Sequence, residues 1–445
     1  MSDDRIDVEG NTRSNMENMA SPSQIKNVTP DLSDDRLSSP ILMLDVDGLE
    51  ELFEWLSLVD LRSLRQTCKR LKQVIDYFIK TNYPAVRIGF RCIMPGVCIG
   101  DEFHQIQQLD PISVNMIKKV RFCVNIITHK CINSLRQILS HVEHIENNAI
   151  EVDGDFYESI LKGCSSLKYL YVNDEMVVGK NGWLCRQYPT IEHFAIGEDE
   201  PGSSEKFTMV KTFFELNPNI QTFSTSSYLL QVNRNYFLGS NIKIDRLKIR
   251  ESSYPLETMI ELRDILNQLY DQGSYKRLHL FIEYVSDQTN LIRISSTRGM
   301  EKLYVHYAAV IAELTLPPMP DLRELCLSRD ELFQNFESIA KNLMNVERVY
   351  VEKARIEDIV TFVHFAPKIK EIKVRWIQDG TNFKDGVIDL PALNKERKRL
   401  PGACKVTVYV KENIFLSTKW ATAKTELSLV RLKRTAAVDW VHRFE

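Results

Sequence analysis

The chain has 445 residues, 44% hydrophobic and 26% charged, the balance of a globular protein with room for one large domain or two to three small ones. Lys plus Arg (57) against Asp plus Glu (60) leaves a net charge of −3, which argues against generalised nucleic-acid or membrane-surface binding. No apolar run reaches the length of a membrane span, the polar start MSDDRIDVEG is no signal peptide, and nine scattered cysteines without a CxxC pair read as reduced thiols of a cytoplasmic or nuclear protein. Residues 1–40 lack aromatics and are dominated by Ser, Asn, Asp and Pro, so a disordered tail is expected there. Ser21, Thr29 and Ser39 each precede a proline, where phosphorylation would add charge.

Residues 42–79 carry three short helical signals. Leu49, Leu52, Phe53 and Leu56 fall at i, i+3, i+4 and i+7, which gives a first helix one apolar face. Ser57 followed by Asp60 has capping-box spacing for a second helix, striped by Leu58, Leu61 and Leu64. Leu71, Val74, Ile75, Phe78 and Ile79 stripe a third. Three helices this short cannot cover so much apolar surface by themselves, and the excess points to a partner. The run from Leu44 to Leu71 resembles an F-box at Leu44, Leu49, Leu52, Phe53, Leu56, Asp60, Leu61, Leu64, Cys68, Lys69 and Arg70. It departs from the family at Asp45, where Pro is usual, and at Leu71, where Trp is usual. The resemblance implies docking onto the Skp-family adaptor of a cullin–RING ubiquitin ligase, with Leu44, Leu49, Leu52, Phe53, Leu56, Leu61, Leu64 and Cys68 as adaptor-binding residues.

Beyond residue 111 a short strand pattern recurs, apolar-x-x-apolar-x-apolar. It appears as IKKVRF (117), LKYLYV (167), IEHFAI (191), IDRLKI (244), YKRLHL (275), MEKLYV (300), LRELCL (322), VERVYV (346) and IKEIKV (369), with weaker copies VEHIEN (142) and IQTFST (220). Successive starts differ by 25, 25, 24, 29, 24, 31, 25, 22, 24 and 23 residues. Such a step marks a solenoid of stacked units. Between strands, Leu332, Phe336, Ile339 and Leu343, then Ile356, Ile359, Val360 and Val363, have helical spacing. Each unit therefore reads as strand, turn, helix, turn.

The pattern resembles the leucine-rich repeats that follow many F-boxes. It departs at the ninth repeat position, where the usual Asn or Cys is present only as Asn125, so an irregular, poorly laddered solenoid is expected. The expected fold is α/β: a tail (1–40), a three-helix F-box (41–84), a linker and N-terminal cap (85–116) with a strand at Val86, Ile88 and Phe90, a leucine-rich-repeat-like solenoid (117–410) with a parallel concave sheet and outer helices, and a C-terminal cap (411–445). Val406, Val408 and Val410 mark a last strand, Trp420 and Trp440 read as packing anchors, and the basic run from Lys395 to Arg399 reads as a solvated helix face.

Catalytic motifs are missing: there is no phosphate loop, no GxGxxG, no HExxH and no GxSxG. His129, Cys131, His141 and His144 do not match zinc spacing. No catalytic residue, metal or cofactor is expected. Specificity is instead expected on the concave face, where side chains between the apolar strand positions point. These include Lys119, Arg121, His144, Tyr169, Tyr171, His193, Arg246, Lys248, Arg250, Arg277, His279, Phe281, Lys302, Tyr304, His306, Arg348, Tyr350, Lys373 and Arg375, against Glu146, Glu324, Glu352 and Glu371. A substrate-binding set of Tyr169, Tyr171, Arg246, Lys248, Arg250, Arg277, Phe281, Tyr304, Arg348, Tyr350 and Arg375 suits an acidic or phosphorylated protein segment. The expected function is a non-catalytic substrate-recognition subunit of an SCF-type ubiquitin ligase, partnered by the Skp-family adaptor, a cullin and a protein substrate. The alternative is a repeat scaffold, or an F-box protein that binds the adaptor without ligase activity.

Overall fold

The computed structural model describes residues 40–53, 55–56, 58–82, 86–91, 94–99, 102–105, 117–122, 126–127, 135–136, 138–147, 151–152, 156–173, 182–197, 205–251, 258–285, 288–308, 316–328, 336–377, 387–422 and 427–434. Two compact units are present, Met1–Asp76 and Tyr77–Glu445.

The first unit is helical: α1 (Pro40–Met43), α2 (Val46–Phe53), α3 (Leu58–Arg65) and the start of α4 (Lys69–Asn82). Leu49, Phe53, Leu61, Leu71 and Ile75 are buried, each worth roughly 1.5–3 kcal/mol of transfer free energy. Asp45, at the position where the family has Pro, accepts the Gly48 N–H at 2.8 Å. It thus caps α2, so the departure is compatible with the helix start. Leu71 is buried where a Trp was usual. Arg70 donates to the carbonyls of Leu42 and Leu44, and Arg65 pairs with Asp76, so both of these cations tie α4 to preceding segments. Ser57, the expected cap of α3, lies outside the described residues.

The second unit is a 16-stranded sheet. It opens with β1 (Val86–Arg91), β2 (Met94–Ile99) and β3 (Glu102–Gln105), joined antiparallel. There follow β4 (Lys119–Phe122), β5 (Ile126–Ile127), β6 (His144–Asn147), β7 (Glu151–Val152), β8 (Tyr169–Asn173), β9 (His193–Gly197), β10 (Thr222–Ser226) and β11 (Arg246–Arg250). Then come β12 (Arg277–Val285), β13 (Met300–Ala308), β14 (Glu324–Leu327), β15 (Arg348–Ala354), β16 (Glu371–Ile377), β17 (Val406–Val410) and β18 (Val430–Arg434). Strands β5 and β7 pair separately. The other thirteen from β4 onward lie side by side in chain order, all parallel, and β1 pairs parallel to β4. Every expected strand is found, the two weaker ones included. The β2–β3 hairpin and β18 were not anticipated. The chain is therefore mixed α/β, with an N-terminal helical unit and a leucine-rich-repeat-like solenoid.

One hydrogen-bond pattern repeats where most strands from β6 to β16 begin. The carbonyl of Lys118 accepts from both Glu143 and His144, that of Glu143 from Lys168 and Tyr169, and that of Lys168 from Glu192 and His193. Glu192, Gln221, Asp245, Arg323 and Glu347 do the same for the next strand. A carbonyl has two lone pairs, and here both are used to set register. The pattern breaks between β12 and β13, where Leu278 faces Met300 but His279 faces Lys302. Glu301 is the extra residue of a β-bulge.

Apolar alternates of each strand, such as Val120, Leu170, Leu247, Leu325 and Ile372, are buried toward the connecting helices. The helices at Phe336–Asn342 and Ile356–Phe365 bury Phe336, Ile339, Ile359 and Val363 of the expected stripes; Leu332 lies outside the described residues. The helix Thr258–Asp271 ends on Gly273 at φ 68°. Ser274 N–H reaches the Leu269 carbonyl and Gly273 N–H the Tyr270 carbonyl, both at 2.8 Å. This αL stop is one that glycine reaches without strain. Asn125 lies outside the described residues. Other asparagines do the stitching: Asn217 bonds the Tyr188 N–H and the carbonyls of Arg186 and Phe213, Asn345 the Pro320 carbonyl, and Asn394 the Leu429 N–H.

The run from Lys395 to Arg399 is not a fully solvated face. Arg397, on the helix Leu390–Arg399, is 0% exposed. Its Nε donates to Cys404 O (3.0 Å), Nη1 to Val363 O (3.1 Å) and Ala366 O (2.7 Å), and Nη2 to Pro367 O (2.7 Å) and Ile369 O (2.8 Å). All five guanidinium donors are satisfied by backbone carbonyls, one of them, Val363, in the last turn of the preceding helix. Among the final aromatics, Trp420 is 82% exposed rather than packed, and Trp440 lies outside the described residues.

Arg397→Met should therefore lower the denaturant midpoint by the equivalent of about 3 kcal/mol or more, the usual scale for removing one side of a buried charged interaction. Arg397→Lys, with three donors, should lose less. A methionine variant within about 0.5 kcal/mol of wild type, the range of inconsequential surface changes, would show that the carbonyls are satisfied without it.

Candidate functional site

Two surfaces carry the residues singled out by sequence. On the helical unit, the expected docking residues divide by burial. Leu49, Phe53 and Leu61 are fully buried, so they hold the unit together and offer no surface. Leu52, Leu56, Leu64 and Cys68 are half-buried, and Leu44 is exposed. Sequence reasoning missed the most exposed apolar groups, Trp55 at 86% and Met43 at 72%, with Val46 beside them in sequence. Their signal was large apolar residues off the helical stripe, where a self-contained unit would place polar ones.

On the solenoid, the strand positions expected to face away from the helices share one open face, and register sorts them into rows. The first row runs Lys119, His144, Tyr169, His193, Thr222, Arg246, Arg277. The second runs Arg121, Glu146, Tyr171, Ala195, Ser224, Lys248, His279, Lys302, Glu324, Arg348, Glu371. The third begins at Arg250 and continues through Phe281, Tyr304, Cys326, Tyr350, Lys373 and Tyr409.

Most of the cations on this face are neutralised. Glu146 holds Lys119 and Arg121 (2.5 Å to the latter) and also His144 (2.7 Å). Glu324 holds Lys302 and Arg348 (2.8 Å). Glu352 holds Arg375 at 2.9 Å, and Glu371 holds Lys373 at 3.3 Å. Glu301, displaced by the bulge, meets Arg277 (3.4 Å) and His279 (2.9 Å). Burial would raise the Glu146 carboxyl, but the hydrogen bond with His144 and the Lys119 charge overcome it and hold it at about 2. The His279 hydrogen bond likewise holds Glu301 at about 2. The expectation of a generally basic face is therefore too broad.

Basic character contracts to one region. Strands β8, β9, β10 and β11 present Tyr169, Tyr171, His193, Ala195, Thr222, Ser224, Arg246, Lys248 and Arg250 to this face, with no carboxylate among them. Arg246 reaches Glu301 only at 4.0 Å, and its buried Nε has no hydrogen-bond partner. Arg250 is exposed and lies over the Phe281 ring at 5.0 Å. Burial pushes the imidazoles of His144, His193 and His279 below their ordinary value, and the Lys248 charge pushes all three further down. The next residue, Glu251, does not compensate. It is buried with one oxygen unpartnered, and burial, helped by Glu283, raises its carboxyl to about 8, so at neutral pH it is mostly uncharged.

Aromatic groups flank this region. Tyr169 stacks on His144 with centroids 3.8 Å apart, and the Tyr171 hydroxyl occupies the space a Cβ at Gly197 would need. On the other side Phe281 stacks on Tyr304 at 4.5 Å. Further along, Lys373 sits between Tyr350 (5.5 Å) and Tyr409 (4.9 Å). Lys302 and Lys373 are buried, and Tyr169 nearly so. Glu301 and Glu251 were missed by sequence reasoning. A parity-two reading places Glu301 off the face until the bulge is known, and Glu251 simply follows the last strand position.

His129 and Cys131 lie outside the described residues, and His144 is committed to Glu146 and Tyr169. Among the described residues, no group of three or more His, Cys, Asp or Glu could hold a metal ion, and no helix is long and apolar enough to cross a membrane. Residues 41–83 match the F-box domain family. No match to the chain is found among curated proteins.

Two of the shifted carboxylates, Glu301 and Glu251, give opposite pH signatures. Glu301, held low in the folded chain, contributes stability above about pH 4.5 that is lost as pH falls toward about 2. Glu251, held high, costs stability progressively as pH rises from about 4.5 to about 8. Thermal unfolding across pH should show Glu301→Gln with a shallower acid limb, and Glu251→Gln with a gain over wild type that grows from pH 5 to pH 8. A gain that is flat with pH would mean the Glu251 carboxyl is already ionised in the fold.

Proposed function

We propose that this chain is the substrate-recognition subunit of an SCF-type cullin–RING ubiquitin ligase, its helical unit docking a Skp-family adaptor and its leucine-rich-repeat-like face holding a target protein. The observation that carries this reading is the F-box match at residues 41–83, on a unit that keeps Met43, Leu44, Val46 and Trp55 exposed. Several exposed large apolar groups on so small a unit fit a docking surface. The long open face of the sheet supports the second half of the reading, because a solenoid offers an extended platform for a partner. Chemistry on the target would be supplied by other subunits, so no catalytic residue is assigned to this chain. The free thiols of Cys68, Cys164, Cys185, Cys326 and Cys404 fit action in the reducing cytoplasm or nucleus.

The carboxylate-free stretch of β8 to β11 is the place assigned to an acidic or phosphorylated target segment, with Arg246, Lys248 and Arg250 as its counter-charges. Arg277, Arg348 and Arg375 are already paired with Glu301, Glu324 and Glu352, so they are read as framework cations.

Co-purification with adaptor and cullin tests the first half. Leu44→Asp with Leu52→Asp should weaken adaptor capture at least tenfold and leave thermal unfolding of the sheet unchanged; Phe53→Asp is unsuitable, because Phe53 is core. Capture of adaptor without cullin would favour the scaffold reading, and no capture by wild type would remove the ligase assignment altogether.

A further inference from the structure

Resting on that reading, we infer that the segment held between β8 and β11 is an extended one, with acidic side chains at alternate positions in register with Arg246, Lys248 and Arg250. Three observations lead there. The cations stand at i, i+2 and i+4 of one strand, so their side chains point the same way, about 6.8 Å apart. An extended chain repeats its own side chains on one side at that same interval. A helix does not: its residues rise about 1.5 Å each, and no regular helical spacing places three acids opposite all three cations along one line.

The width of the site agrees. Between the cations and Tyr171, whose hydroxyl lies over Gly197 of β9, the floor is β10 and the end of β9. Its residues are small, Ala195, Thr222 and Ser224, the first two buried. From β9 to β11 is two strand spacings, about 9.5 Å. That admits one extended chain standing on edge, with alternate side chains directed to β11 and to β8. Acids would meet Arg246, Lys248 and Arg250, and the residues between them would meet Tyr169 and Tyr171. A counter-charge fits there, because the buried Nε of Arg246 has no hydrogen-bond partner, Glu301 standing 4.0 Å away, and Arg250 meets a ring rather than a carboxylate. The target class is therefore a strand-like segment written acid-x-acid-x-acid, phosphoserine serving as well as Glu or Asp through its three acceptor oxygens.

Two fluorescein-labelled octapeptides of equal composition provide the test: four Glu alternating with four Thr, and four Glu followed by four Thr. Anisotropy with the full-length chain should give at least tenfold tighter binding of the alternating peptide. That preference should vanish in Arg246→Ala/Lys248→Ala/Arg250→Ala. Should the triple variant not fold, Ser224→Glu serves instead, since it places a carboxylate on the floor, leaves the cations in place and should also abolish binding. Equal binding of both peptides, lost in the variants, would overturn the register while leaving acidic capture intact. A preference that survives the variants places the peptide elsewhere and overturns the site. No binding of either peptide would overturn both this inference and the acidic-target reading of the face, with adaptor capture still able to stand by itself.

Discussion

The shared carbonyl that opens most strands between β6 and β16 is the constraint on which the sheet depends. A parallel strand cannot be aligned by a tight turn, because its neighbour arrives through a long crossover. Something else must set the register, and a one-residue slip would send every apolar side chain to the wrong face. Here one carbonyl accepts two N–H donors from the incoming strand, as Glu143 does from Lys168 and Tyr169. The side chains of these same positions often pair along the edge, for instance Glu143 with Lys118 and Lys168 and Glu347 with Lys370. Being exposed, each such pair is worth little. The backbone bond is the stronger register device.

Register in turn makes the open face. Once strands are aligned, side chains from different units stand in rows one strand spacing apart, close enough to stack or pair. Along most of its length the face is electrostatically closed, each carboxylate answering at least one cation. A chain of net charge −3 can still hold a local positive region, because net charge says nothing about where carboxylates stand. The gap in carboxylates over β8 to β11 is what sets that stretch apart from the rest of the face.

Much of this was legible beforehand. A step near 25 residues and the apolar pattern located the strands, even VEHIEN and IQTFST, because burial of every second side chain is imposed by the sheet itself. Arg246, Lys248 and Arg250 were legible as a group for the same reason. Other features leave no such trace. A bulge changes parity by one residue without altering composition, so Glu301 could not be placed on the face. Arg397 sits among charged neighbours, and only the rotation of its helix decides that it points inward to five carbonyls. The strand at Val430–Arg434 did leave a trace, since Leu427, Val430 and Leu432 repeat the apolar-x-x-apolar-x-apolar pattern. In the helical unit the stripe rule found Leu49, Phe53 and Leu61, which the structure buries in the core.

The order of the sheet has a kinetic meaning. From β4 to β18 each strand in the run hydrogen-bonds only to its neighbours in that sequence order, so the loops to be closed are set by one unit rather than by the chain. A sheet of this size would ordinarily fold slowly, held back by the entropy of distant pairings. This one can start from any adjacent pair and lengthen unit by unit. Its opening should likewise begin at the ends, making the last strands the first to exchange their amide protons and the middle strands the last to do so.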